Sequence, residues 1–351
     1  MCRTLRILAV AAAGLAVWAT PAIAATHDVW PGQSIQAAID AAKPGDTILV
    51  HRGTYHENLT VRTSHLTLVS WGATLQPPAT GTRVCATKFG QSDFPGICVL
   101  GKMKHGVVTS RVVGTTIQNF HIDGFPGEGI FMNAVGDSRI VHNTSWDNGG
   151  YGIAGFFQTG GAYVGNTAYN NGEPGIYLGD SPEANYVVSR NTTWGNEYGL
   201  FIRDSGHAVI TDNVSHDNCV GILLLDTNDP NLESNDITQR NTVSHNDKAC
   251  PAGGDGPALS GIGIGLVGGT DMIVRDNSVS DNSPSGDTLI SGGIVMLSGS
   301  LGGGAGPTGN AINFNHSWNN AGFDIFWDRS GSDNHFFKNV CGTSSPKFIC
   351  G

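Results

Sequence analysis

The chain has 351 residues, of which 50 are Gly and only 14% are charged, with 19 Lys or Arg against 29 Asp or Glu. A formal charge of −10 argues against a nucleic-acid partner, because phosphate binding needs clustered Lys and Arg. Gly follows no three-residue period, which excludes collagen, and the ordinary aliphatic content argues against disorder. Much Gly, Asn, Ser, Thr and Val with few helix-forming charges predicts strands and turns.

At the N-terminus, Arg3 and Arg6 precede an apolar run from Ile7 to Trp18, and Ala22-Ile23-Ala24 ends it with a small-x-small pattern. This reads as a secretory signal over 1–24, so a secreted or extracellular product is expected. No later segment is apolar for the length of a bilayer, so no membrane span is expected after signal removal. In Ser34–Ala42 the residues Ile35, Ala38, Ile39 and Ala42 share one helical face. A short amphipathic helix there would cap the open sheet edge of the first coil, and 25–78 is read as this cap plus that coil. Without Cys2, six cysteines remain: Cys85, Cys98, Cys219, Cys250, Cys341 and Cys350. An even number in an exported chain predicts disulfides. Six cysteines allow 15 pairings. Sequence neighbours would pair Cys85 with Cys98, Cys219 with Cys250, and Cys341 with Cys350, closing a tail over 341–351.

The region 79–340 repeats. Gly129-Ile-Phe-Met leads to Asn143 and Asn148, Gly152-Ile-Ala-Gly to Asn166 and Asn171, and Gly175-Ile-Tyr-Leu to Asn191 and Asn196. Gly199-Leu-Phe-Ile leads to Asn213 and Asn218, and further copies start at Gly221, Gly263 and Gly293. The first Asn recurs at intervals of 23, 25, 22, 28, 36, 38 and 24, ending at Asn339. Such a period, built of short apolar alternations, predicts an all-β solenoid of roughly nine to ten coils with about three strands per coil. Stacked coils would align each Asn column into an amide ladder. The longer intervals mark turn insertions, around Cys250 and around Gly302–Gly309.

With that repeat, the opening Pro31-Gly-Gln-Ser-Ile-Gln-Ala-Ala-Ile-Asp-Ala-Ala-Lys-Pro-Gly-Asp and the later Gly53-Thr-Tyr-His-Glu-Asn-Leu resemble the right-handed parallel β-helix proteins of the pectate-lyase-like superfamily. The opening is particularly similar to periplasmic β-helix proteins related to the nitrous-oxide-reductase maturation factor. The resemblance implies a single-stranded right-handed parallel β-helix whose first sheet lines a groove for saccharide.

Counted forward from each strand-opening Gly, Asp180, Asp204 and Asp226 fall in consecutive coils, with Arg203 beside Asp204 and His207 three residues on. Carboxylates about 5 Å apart raise one another's pKa or share a cation. One reading has Asp180, Asp204 and Asp226 bind Ca²⁺ against an acidic sugar, with Arg203 as base in β-elimination. A second has one carboxyl act as general acid and another as base or nucleophile in glycoside hydrolysis. A third has these Asp residues only ending strands in Asx turns. Two aromatic columns, Phe131, Tyr177 and Phe201, and Trp146, Tyr169 and Trp194, are expected to face outward and stack on sugar rings. The 12 His show no converging metal set. The leading expectation is a carbohydrate-active lyase or hydrolase with a polysaccharide or oligosaccharide partner. The alternative is a non-catalytic exported binding or surface protein, with copper handling suggested by the maturation-factor resemblance. Oligomeric state is left open.

Overall fold

The computed structural model describes residues 24–81, 93–227, 235–253, 256–302 and 304–351. Residues 1–23 of the expected signal, and Cys85, lie outside them. Three parallel sheets run the length of the molecule, with 13, 11 and 11 strands, here called A, B and C. Each coil passes through them in that order, as in Arg139–Val141 within the strand Val135–Val141 (A), Thr144–Trp146 (B) and Ile153–Phe156 (C). Eleven strands in B and in C exceed the nine to ten coils read from the repeat. The extra coils are early ones that lack the ladder Asn.

Alternation explains the core. Ile130, Met132, Ile153, Ile176, Leu178, Leu200 and Ile202 on sheet C point into the lumen with Ile117, Ile140, Val188 and Ile210 of sheet A. The two Asn columns sit at the corners flanking sheet B. Asn143, Asn166, Asn191, Asn213, Asn241, Asn277, Asn315 and Asn339 form the first ladder, each Nδ2 donating to the next Oδ1 at 2.9–3.1 Å. The second runs from Asn148 to Asn320 at 2.8–3.2 Å. It ends on Asp324, whose Oδ1 accepts from both Asn320 nitrogens. The residue before each ladder Asn turns the corner in the left-handed region: His142, Arg190, Asp212, Arg240, Asp276, Phe314 and Lys338 have φ of 50–58°. That inversion points the next residue, Asn, inward, where its amide replaces the ladder bonds a bend would otherwise lose.

The helix Ile35–Ala41 closes the N-terminal end as expected, burying Ile35 and Ile39 with Ala38 and Ala42 packed alongside. Its first turn is held by Ser34, which accepts from Ala37 N, and by Glu57, which accepts from Ile35 N, Gln36 N and Ser34 Oγ. Cys219–Cys250 and Cys341–Cys350 are disulfides. Cys98 is also disulfide-bonded.

At the corner between sheets C and A, Asp236 is 1% exposed. Its Oδ1 accepts from Ala208 N at 2.7 Å, while Oδ2 has no hydrogen-bond partner among the described residues. Burial pushes its carboxyl up to about 8, against the smaller opposing effect of the Ala208 N–H. A folded-state pKa above the unfolded one means that folding is favoured by the bound proton. Stability is therefore full below about pH 4 and falls as pH rises through about 8. Asp236→Asn should remove that slope, making the variant more stable than wild type at pH 8 by roughly 1–3 kcal/mol. Urea unfolding at pH 5 and pH 8 measures it, and identical slopes in the two proteins would refute the assignment.

Candidate active site

Of the expected site residues, Phe131, Tyr177 and Phe201 lie on the outer face of sheet C. Phe131, Ala154, Tyr177, Phe201 and Leu223 align across consecutive coils, and each is flanked by lumen-facing neighbours. The outward direction of Phe131 and Tyr177 is as expected, but their exposure is not. Each is only 2% exposed, packed with Cys98, Leu100 and Phe156 under the partly exposed Tyr151, Phe157 and Phe201. Alternation sets which side a ring takes and says nothing about what lies over it.

Trp146, Tyr169 and Trp194 lie on a different surface, the outside of sheet B. There they continue into His216 as one stack, with interplanar angles of 2–4° and centroids 4.4–5.8 Å apart. Tyr169 and Trp194 have both faces covered by neighbours, so they offer solvent their edges. The aromatics expected to form saccharide contacts thus divide between two sheets.

At the C-terminal ends of the sheet C strands, Asp180 and Asp204 bend the chain at φ 52° and 48°. Asp204 is buried and engaged, accepting from Thr227 N at 2.7 Å, Thr227 Oγ1 at 2.6 Å and Arg203 Nε at 3.2 Å. It braces one coil against the next. Asp180 is half-buried, and His207 is exposed on the turn beyond, at φ 59°. Asp226 donates its N–H to Val267 O, and its carbonyl is covered by the Gly-rich insertion, where a Cβ on Gly304 would approach that oxygen to 2.3 Å. Among the described residues, no three His, Cys, Asp or Glu converge to hold a metal ion.

Burial pushes the Tyr177 hydroxyl well above its usual range, and Asp180 adds to the shift while Arg203 opposes it. Tyr177 thus stays protonated and is a poor base. Across its ring, centroids 4.9 Å apart, lies Tyr151, whose hydroxyl is also pushed up, first by burial and then by the negative charge of Glu173. Next to this pair is Glu128, buried at 7% exposure. Its carboxyl is pushed up to about 7, first by burial and then by the negative charges of Glu173 and Asp93, with its own backbone N–H opposing.

Glu128, Tyr151 and Glu173 were missed by a count that ran forward from each Gly. Glu128 and Tyr151 stand immediately before Gly129 and Gly152, and Glu173 two before Gly175, so counting one or two steps backward from the same Gly finds them. From Glu128 to Arg203 the site runs diagonally over an aromatic floor. Beyond it, Leu259 and Ile290 of two insertions pack against Tyr198, Val220, Leu223 and Phe201. The first insertion is tied down by Cys219–Cys250 and by Lys248 Nζ donating to Gly195 O at 2.6 Å.

The family model described as "Right handed beta helix region" matches residues 82–211 and 196–341. The chain belongs to the right-handed β-helix family. No curated protein matches this β-helix significantly in sequence. Among solved structures it is similar to the Azotobacter vinelandii mannuronan C-5 epimerase AlgE4 A-module, at 16% identity and TM-score 0.61, covering 89% of this chain and 91% of that one. DFA-IIIase from Arthrobacter chlorophenolicus in complex with DFA-III aligns at 12% identity and TM-score 0.58, covering 92% and 99%. The periplasmic alginate epimerase AlgG aligns at 14% identity and TM-score 0.54, covering 89% and 84%. At these identities the likeness establishes the fold of the β-helix, not its chemistry.

Proposed function

We propose that this β-helix hydrolyses glycosidic bonds of an uncharged saccharide on the outer face of sheet C. Glu128 is the general acid and Glu173, whose negative charge acts on both Glu128 and Tyr151, the ionised partner, acting as base or nucleophile. The observation that carries the reading is a buried carboxyl, Glu128, beside the paired rings of Tyr151 and Tyr177, pushed up to about 7 by burial and by the negative charge of Glu173. Glycoside hydrolysis needs two carboxyl groups with their pKa values pushed apart in this way. The related solved structures, which include a saccharide complex and two epimerases of polysaccharides, support a carbohydrate substrate. Disulfides support an exported protein working in an oxidising compartment.

Lyase chemistry on a polyuronate fits this surface less well. A uronate carboxylate has to be neutralised, yet Glu128, Glu173, Asp180 and Asp204 surround the site and Arg203 is already engaged by Asp204. Neutral and acidic polysaccharides incubated with the protein should give new reducing ends only from neutral ones. Unsaturated uronates from any acidic polymer would overturn the hydrolase reading. So would saturable binding to a glycan that is never cleaved. Activity should also fall as pH rises through about 7, when Glu128 loses its proton.

A further inference from the structure

The first three coils break the rule that builds the rest of the molecule. From Asn143 onward, the residue after each sheet A strand and its left-handed corner is a ladder Asn turned inward. By register, Trp30, His51 and Trp71 occupy that corner in the first coils, directly after Val29, Val50 and Ser70. None of these three preceding residues has a positive φ. Ordinary alternation therefore continues through the corner, Val29, Val50 and Ser70 pointing inward and the next side chains outward.

The result is a rigid aromatic corner. His51 is buried, its Nε2–H donating to Asp28 Oδ1 at 2.7 Å. Trp30 stacks on the imidazole at 3.5 Å and 8°, and Trp71 meets it edge-on at 4.9 Å and 85°. The indoles thus stand at close to a right angle, and they remain 54% and 62% exposed. The backbone behind them is pinned: Trp30 N donates to Gln33 Oε1, and Tyr55 Oη shares its one proton between His51 O at 2.8 Å and Val29 O at 3.1 Å. Unlike the sheet B stack, where inner rings cover one another's faces, this corner leaves indole surface open beside the polar Asp28 and Gln33. Apolar ring faces edged by hydrogen-bonding groups match the alternating C–H and hydroxyl surfaces of a sugar ring. Two large exposed indoles held in one geometry are a cost in a fold that elsewhere fills this position with a buried amide.

We infer that Trp30 and Trp71 form a second saccharide-binding site, separate from sheet C, that holds a remote part of the same polymer. The inference rests on the reading of the protein as saccharide-active. Its value would be avidity, since a chain already held at one end meets the second site at high effective concentration. The test is affinity electrophoresis of the full chain in gels containing each polysaccharide of the panel, alongside turnover of a short oligosaccharide. Trp30→Ala and Trp71→Ala should each weaken retardation about tenfold and leave short-substrate turnover and the far-UV circular dichroism spectrum unchanged. Trp30→Tyr should keep most of the retardation. Turnover of short substrates with equal retardation of wild type and both Ala variants would overturn the second site alone. Lost retardation in the Ala variants with no glycan ever cleaved would keep this site and refute the hydrolase. A wild-type dimer in sedimentation that becomes monomeric in Trp30→Ala would overturn the inference by assigning the corner to self-association.

Discussion

Glu128→Gln should abolish hydrolysis, lowering kcat by about 10²–10⁴-fold, with far-UV circular dichroism unchanged. The amide has nearly the shape of the carboxyl and is neutral, like the protonated acid that burial favours at this position, so it fits the same pocket. What it lacks is a proton to give to the leaving oxygen. The variant has a second diagnostic property. Because the folded-state pKa of Glu128 lies above its unfolded value, the carboxyl contributes stability below about pH 4 that is lost as pH rises through about 7. Glu128→Gln should therefore be at least as stable as wild type at pH 8 while being inactive. Glu173→Gln should be equally inactive for a different reason, having lost the negative charge that acts as base or nucleophile. A leaving group that needs no protonation, such as a dinitrophenyl glycoside, distinguishes the two. Glu128→Gln should recover bond cleavage with it and Glu173→Gln should not. If both variants keep turnover within threefold of wild type on the natural glycan, the assignment of roles is wrong.

How far this site could be read from sequence depends on what a repeat encodes. The Gly-Ile openings and the paired Asn residues are repeated physical solutions to the same problem, a strand start and a bend. Their spacing therefore translated directly into sheets and ladders, and Asn143 and Asn148, five apart, bracket one sheet B strand. The Cys219–Cys250 and Cys341–Cys350 pairs matched proximity in the chain, because each closes one local loop. Chemistry is carried by departures from the repeat, which appear once and have no period. Glu128 looks like any turn residue until packing at 7% exposure lifts its carboxyl to about 7. Asp204 stood out because charge is rare in the repeat, yet its oxygens are taken by Thr227 of the next coil. A short third ladder, Asn310 to Asn334 at 2.9 Å, escaped notice because insertions interrupt its column. The early coils were undercounted for the same reason that Trp30 and Trp71 are exposed there: no Asn marks their corner.

Asn191→Ala should destabilise the protein by roughly 3–5 kcal/mol, among the largest effects expected for a single side chain outside the apolar core. Asn191 is 1% exposed. Its Oδ1 accepts from Asn166 N at 2.9 Å and Asn166 Nδ2 at 3.0 Å, and its Nδ2 donates to Tyr163 O and Asn213 Oδ1, both at 2.9 Å. Truncation removes all four bonds and strands a buried N–H and a buried amide of the preceding rung away from water. No solvent can reach them. Asn191→Asp separates hydrogen bonding from shape: the carboxylate can still accept from Asn166 but faces Tyr163 O and Asn213 Oδ1 as acceptor against acceptor. It should therefore cost at least as much as Ala at pH 7 and recover partly at pH 4, where a protonated carboxyl can donate once. The rung lies in the chain between Tyr177 and Arg203, so it also sets how those two coils are spaced across the site. Hydrogen exchange should accordingly show lost protection at the amides of Asn166, Asn191 and Asn213 first, with the sheet C amides of Leu178 and Ile202 next. A shift in the urea midpoint corresponding to less than about 1 kcal/mol would mean that the ladder is a consequence of coil stacking and not one of its causes.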